Sequence, residues 1–66
     1  MSIFSRNLTR LRKQANISRK EMAEKIGVSD ITIGYYENGR NEPTLSNLVK
    51  IARILNVSTD YLATYI

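Results

Sequence analysis

Residues 18–37, Ser18-Arg-Lys-Glu-Met-Ala-Glu-Lys-Ile-Gly-Val-Ser-Asp-Ile-Thr-Ile-Gly-Tyr-Tyr-Glu37, read as two short helices joined by a tight turn at Gly27. Spacings of three and four put Met22, Ala23 and Ile26 on one helical face. Ile33 and Tyr36 point back from the second helix, and Val28 sits in the turn. Ala23 is small, as a side chain must be where two steeply crossed helices meet near their shared turn. A turn this short calls for left-handed backbone, which glycine adopts at least cost.

The ends of both helices are also written locally. Ser18 caps the first, and Glu21 three residues later completes a capping box. Ser29 caps the second, with Asp30 in its first turn facing the positive end of the helix dipole. Asn38-Gly39 is a C-terminal stop, and Pro43 keeps the chain from re-entering that helix.

Working outward, the spacing predicts helix one over about Ile3 to Ala15, with Phe4, Leu8, Leu11 and Ala15 as its buried stripe. Arg6, Arg10 and Lys13 share another side, and Arg12 lies next to the stripe. Ile17 precedes the Ser18 cap, where it can pack on Met22 as a hydrophobic staple. After the loop Asn38-Gly-Arg-Asn-Glu-Pro43, helix four runs from about Leu45 to Leu55 with Thr44 as its cap. Leu45, Leu48, Val49, Ala52 and Leu55 form its apolar face, and Ile51 and Ile54 extend that surface. Helix five follows the Ser58 cap and includes Asp60, Tyr61, Leu62, Tyr65 and Ile66.

The expected fold class is therefore all-α, five helices in one domain over residues 1–66. A core of this size is marginal unless the helices pack efficiently or a second subunit helps. An apolar fraction of 42% is enough for a globular fold and argues against disorder. The chain has no Cys and no His, which removes disulfides, thiolate metal sites, the commonest metal ligand and the commonest general base. Gly-rich phosphate loops and clustered carboxylates are lacking as well, so catalytic residues, metal and cofactor are all expected to be none. The apolar runs are too short to span a bilayer, and Met1-Ser-Ile-Phe-Ser-Arg6 lacks the apolar core of a signal peptide. A cytoplasmic protein is the expectation. The net charge of +4 and pI of about 9.8 tilt toward a polyanionic partner, with Arg6, Arg10, Arg12, Lys13, Arg19 and Lys20 crowded into the first third.

The stretch resembles the helix-turn-helix of the phage repressor and Cro type of DNA-binding domain (the XRE family). The resemblance rests on Ser18, Glu21, Ala23, Ile26-Gly27-Val28-Ser29, Thr32-Ile33, Tyr36-Glu37, Gly39 and Pro43. It continues through Leu48, Ile51-Ala52 and Leu55-Asn-Val-Ser58 to Tyr61-Leu62. It implies a lambda-repressor-like five-helix bundle whose third helix enters the major groove. It also implies base contacts from Asp30, Ile31 and Tyr35, with Thr32 at the flank. Ile31 offers only apolar contact, such as with a thymine methyl, and Asp30 either accepts from cytosine N4 or helps Ser29 cap the helix. Phosphate contacts are expected from Ser18, Arg19, Ser29, Asn38 and Arg40, with Arg19 standing where relatives usually carry Gln. Glu42 and Asn41 depart from the basic residues frequent at their places. Gly34 is costly inside a helix; either the backbone approaches DNA there or the residue is tolerated. The resemblance further implies an Arg12–Glu37 ion pair that fixes the angle of the reading helix.

These readings lead to a sequence-specific regulator of transcription, Cro- or repressor-like, on double-stranded DNA. The apolar C-terminal residues suggest a homodimer on a palindromic operator, with Ile54, Tyr61, Tyr65 and Ile66 at the interface. Two reading helices would then lie about 34 Å apart. No small-molecule ligand and no membrane partner are expected. The other reading is a protein-interaction module of the same fold, antitoxin-like or an adaptor, with little DNA binding; Asp30 and Glu42 favour it.

Overall fold

Each helix begins where a hydroxyl side chain takes over an unpaired backbone N–H. Ser2 Oγ accepts from Ser5 N, Ser18 from Glu21 N, Ser29 from Thr32 N, Thr44 from Asn47 N and Ser58 from Tyr61 N. The computed structural model describes residues 2–66; Met1, the first residue of the expected domain, lies outside the described residues. The five caps open α1 (Ile3–Gln14), α2 (Arg19–Ile26), α3 (Asp30–Asn38), α4 (Leu45–Leu55) and α5 (Thr59–Thr64). Helices α2 and α3 end on left-handed Gly27 and Gly39, at φ 80° and 81°. Asn56, at φ 58°, ends α4 in the same way.

The core is drawn from all five helices. Phe4 and Leu8 come from α1, Met22, Ala23 and Ile26 from α2, Ile33 and Tyr36 from α3, Ile51 and Ala52 from α4, and Leu62 from α5. α3 packs against both α2 and α1, and α5 packs against α1 and α4. Ala23 is buried, as close approach of α2 and α3 requires. Ile17 is half-buried against the same core. Tyr36 is packed, edge-on to Phe4 at 6.2 Å, and its hydroxyl accepts from Asn47 Nδ2 at 3.4 Å. Among the described residues, no helix is long and apolar enough to cross a membrane.

Five apolar positions differ from the sequence reading. Ala15 is exposed, because α1 ends at Gln14 and Ala15 is its C-cap. Leu45 is 75% exposed and Ile51 fully buried, so the core face of α4 is centred on Ile51 and Ala52. Leu45 stands in the first turn of α4, ahead of the core contacts that the later turns make. Tyr65 and Ile66 lie beyond α5, whose C-cap Tyr65 is extended.

A buried polar residue also holds the bundle together. Asn7 Nδ2 donates to the carbonyls of Tyr65 at 2.9 Å, Leu62 at 3.0 Å and Tyr61 at 3.4 Å. The Leu62 and Tyr65 carbonyls lie at the end of the chain, where α5 supplies no further N–H, while the Tyr61 carbonyl also accepts from Tyr65 N at 2.9 Å. Asn7 Oδ1 accepts from Arg10 Nη2 at 3.2 Å.

The two glycines of the motif make opposite predictions. Gly27 has open space around its missing β-carbon but a left-handed backbone, so Gly27→Ala is expected to cost about 1–2 kcal/mol. Gly34 is helical, and a β-carbon there would meet Arg19 Nη1 at 3.6 Å, an ordinary contact. Gly34→Ala is therefore expected to stabilise by about 1 kcal/mol. Urea denaturation of the two variants checks both signs.

Candidate nucleic-acid interface

Helix α3 has an inner and an outer side, and the core fixes which is which. Ile33, Tyr36 and Glu37 are buried. Asp30 and Ile31 are exposed, and Thr32, Gly34 and Tyr35 are half-exposed. Ile31 exposes 62% of its surface on a helix whose other isoleucine is wholly buried.

The outer residues are tied to the helix ends. Asp30 Oδ1 accepts from Ile31 N at 3.0 Å, and Ser29 Oγ lies 3.0 Å from Thr32 Oγ1. The Ser18 capping box is complete: its backbone N–H also donates to Glu21 Oε1 at 3.2 Å. Both capping serines are exposed at helix N-termini, where free N–H groups attract anions. At the other end of α3, Asn38 Oδ1 accepts from Arg40 N at 3.0 Å, which leaves the amide Nδ2 as a donor. The Arg40 guanidinium stacks 4.9 Å from the centre of the Tyr35 ring. This contact links a residue expected at the bases to one expected at the phosphates.

Behind the outer face lies a buried charge cluster. Arg12 Nε donates to Glu37 Oε2, its Nη2 to Oε1 at 3.3 Å, and its Nη1 to the Ile17 carbonyl at 2.8 Å. Arg19 joins the same carboxylate, Nε to Oε1 at 3.0 Å. Burial raises the Glu37 pKa, but hydrogen bonds and charge from Arg12 and Arg19 outweigh it, and the carboxyl is held below its ordinary value. The second arginine is not legible from spacing. Arg19 is expected free for a phosphate, yet the structure ties one of its nitrogens to α3. Its guanidinium passes over Gly34, so this glycine makes room for a side chain of α2.

Of the residues expected at a dimer interface, Tyr61, Tyr65 and Ile66 follow one another along the C-terminal segment, while Ile54 lies on α4 and packs against the core. Ile54 and Tyr61 are half-buried, and Tyr65 and Ile66 are exposed. The Tyr61 and Tyr65 rings stack at 4.3 Å, with Arg10 5.9 Å from the centre of the Tyr65 ring. A groove lined by Ile3, Arg6, Asn7, Arg10, Tyr65 and Ile66 continues this surface toward α1.

A helix-turn-helix family model matches residues 8–62. The chain is similar to the HTH-type transcriptional regulator YqaE of Bacillus subtilis, 42% identical over 60 residues. That alignment covers 91% of this chain and 52% of the relative. Among solved structures it is similar to the P22 c2 repressor in complex with a synthetic operator. The TM-score is 0.90 and the identity 26%, with 97% of each chain covered. It is also similar to part of hydroxypropylphosphonic acid epoxidase from S. wedmorenis. There the TM-score is 0.86 and the identity 30%, with 96% of this chain but 34% of the enzyme covered. The chain spans about half the length of the curated relatives it matches first. With the family match running from α1 into α5 and a capped α2–turn–α3 at its centre, the chain belongs to the helix-turn-helix family, as a five-helix domain of the phage-repressor type.

Proposed function

We propose that residues 1–66 form a DNA-binding domain that regulates transcription by recognising a specific double-stranded sequence, in the cytoplasm and without catalysis. One observation carries the reading: α3 leaves Ile31 open to solvent while its caps, glycines and buried Glu37 hold the helix in a fixed pose. An exposed apolar side chain at the start of this helix suits a thymine methyl in the major groove. Asp30, Thr32 and Tyr35 are the other base-facing residues. Ser18, Arg19, Ser29, Asn38 and Arg40 contact phosphates. The similarity to an operator-bound repressor supports this placement.

The proposed working form is a symmetric dimer through Ile54, Tyr61, Tyr65 and Ile66. The exposed Tyr65 and Ile66 support it, since a partner would cover apolar surface that one copy leaves wet. A C2 dimer presents two copies of α3 to half-sites about 34 Å apart. Sedimentation across concentration, with and without duplex, checks this. A species that stays monomeric in both removes the two-half-site arrangement.

DNA binding predicts its own salt dependence. Arg19 and Arg40 of both protomers would displace about four counterions, for a log–log slope of roughly −3.6. Affinity for duplex should then fall about 150-fold between 50 and 200 mM salt. A protein-interaction module would show little duplex affinity even at the lower concentration. Within the interface, Tyr35→Ala should reduce the preference for one selected sequence by about 1–3 kcal/mol. It should also loosen Arg40, which loses its stacking partner. Arg40→Ala should weaken all sequences alike and reduce the slope. If both substitutions leave binding and selectivity untouched, α3 does not face the groove.

A further inference from the structure

Arg19 belongs to α2, yet it is fastened to α3. Its Nε donates to Glu37 Oε1, an atom shared with Arg12 Nη2. The arginine side chain is 54% exposed although the carboxylate it holds is nearly buried. The guanidinium lies over Gly34, where any long side chain would compete for the same space. The Nη groups make no hydrogen bond among the described residues and remain for an outside acceptor, one of them beside Gly34 on the outer side of α3.

We infer that Arg19 is a pre-aimed phosphate donor, anchored by Glu37 in room that Gly34 leaves, so that positions 34 and 37 tune DNA affinity without touching DNA. The inference rests on the DNA-binding reading and deepens it. A free arginine gives up about 2 kcal/mol of rotamer entropy when it is fixed. An arginine already held through Nε has lost part of that freedom before the duplex arrives, so less is lost on binding. The planar fork also matters. One edge grips the carboxylate and another faces a phosphate, which a lysine ammonium cannot imitate.

The test is a double-mutant cycle read by duplex affinity as a function of salt, with thermal unfolding of each variant alongside. The wild type should bind a selected duplex with a steep salt slope. Arg19→Ala should weaken binding at least tenfold and lower the slope by about 0.9 for each protomer. Arg19→Lys keeps the charge, so its slope should stay near wild type while affinity still falls severalfold. Gly34→Leu should fold, since leucine is the better helix former, and should lose as much affinity as Arg19→Ala. The double variant should lose no more than either single one. Wild-type affinity in Arg19→Lys overturns the anchoring. A Gly34→Leu loss that persists in full on the Arg19→Ala background overturns the role of Gly34, because the new side chain then meets the duplex directly. A wild type that binds duplex steeply while Arg19→Ala does the same overturns this inference alone. A wild type without salt-dependent duplex binding overturns the DNA reading and this inference together.

Discussion

Glu37→Ala is expected to leave little folded protein at 25 °C. Arg12 is nearly buried and gives two of its donors to this carboxylate. Removing the acid strands a buried guanidinium whose remaining partner is the Ile17 carbonyl, and such losses cost roughly 3–5 kcal/mol. A core of this size rarely supplies more than about 3–5 kcal/mol of net stability. The reverse truncation should be milder. Arg12→Ala leaves Glu37 with Arg19 at 3.0 Å, and Arg19→Ala leaves it with Arg12. The order of destabilisation is therefore Glu37→Ala, then Arg12→Ala, then the half-exposed Arg19→Ala. Urea titrations followed by circular dichroism check the order. A Glu37→Ala variant within about 1 kcal/mol of wild type would mean the cluster is not the clamp the geometry implies.

The same cluster sets an acid limb. The folded pKa of Glu37 lies below its unfolded value, so the unfolded chain binds more protons between the two. Stability from this group is fully present above the ordinary glutamate value and is lost as pH falls through the lower, folded one. Raising pH through that window stabilises the protein. Glu37→Gln should be less stable near neutral pH and should lack this part of the acid slope.

How far the sequence carries the reading depends on the range of the interaction. The caps at Ser18, Ser29, Thr44 and Ser58 are bonds between residues three apart, and the stops at Gly27 and Gly39 are single backbone conformations. Local chemistry decides them, so these helix ends are legible, whereas the ends of α1 and α5, which lack such a glycine, are not. The face of α4 is less so, because Leu45 and Ile51 are equally apolar and only their neighbours across the core tell them apart. The outer residues of α3 are found by subtraction, once Ile33 and Tyr36 are assigned inward. What stays hidden is contact between distant residues on separate helices. Nothing in the spacing shows that Glu37 takes a second arginine 18 positions away, or that Gly34 houses its guanidinium. Asn7 is equally silent, a polar residue amid the apolar stripe of α1 whose acceptors lie more than 50 residues along.

Leu62→Ala is expected to cost about 2–5 kcal/mol and to release α5 from the bundle. α5 has six residues, far too few to be helical alone. Leu62 is fully buried and is the one residue of α5 in the central core. A second tie, besides the packing of α5 on α4, is Asn7, whose amide nitrogen reaches carbonyls of Tyr61, Leu62 and Tyr65. Asn7→Ala should cost less, about 1–3 kcal/mol, since the carbonyls at the frayed end can turn to water. Either loss should act unevenly. α2 and α3 hold each other through Met22, Ala23, Ile26 and Ile33, so the reading helix keeps its mount while the surface proposed for dimerisation comes apart. Hydrogen exchange should show the amides of α5 unprotected in Leu62→Ala under conditions where those of α3 remain slow. Affinity for a full palindromic site should then fall toward that for a single half-site. If exchange in α5 and α3 accelerates together, the two ends of the domain unfold as one unit, and recognition cannot be separated from pairing by this substitution.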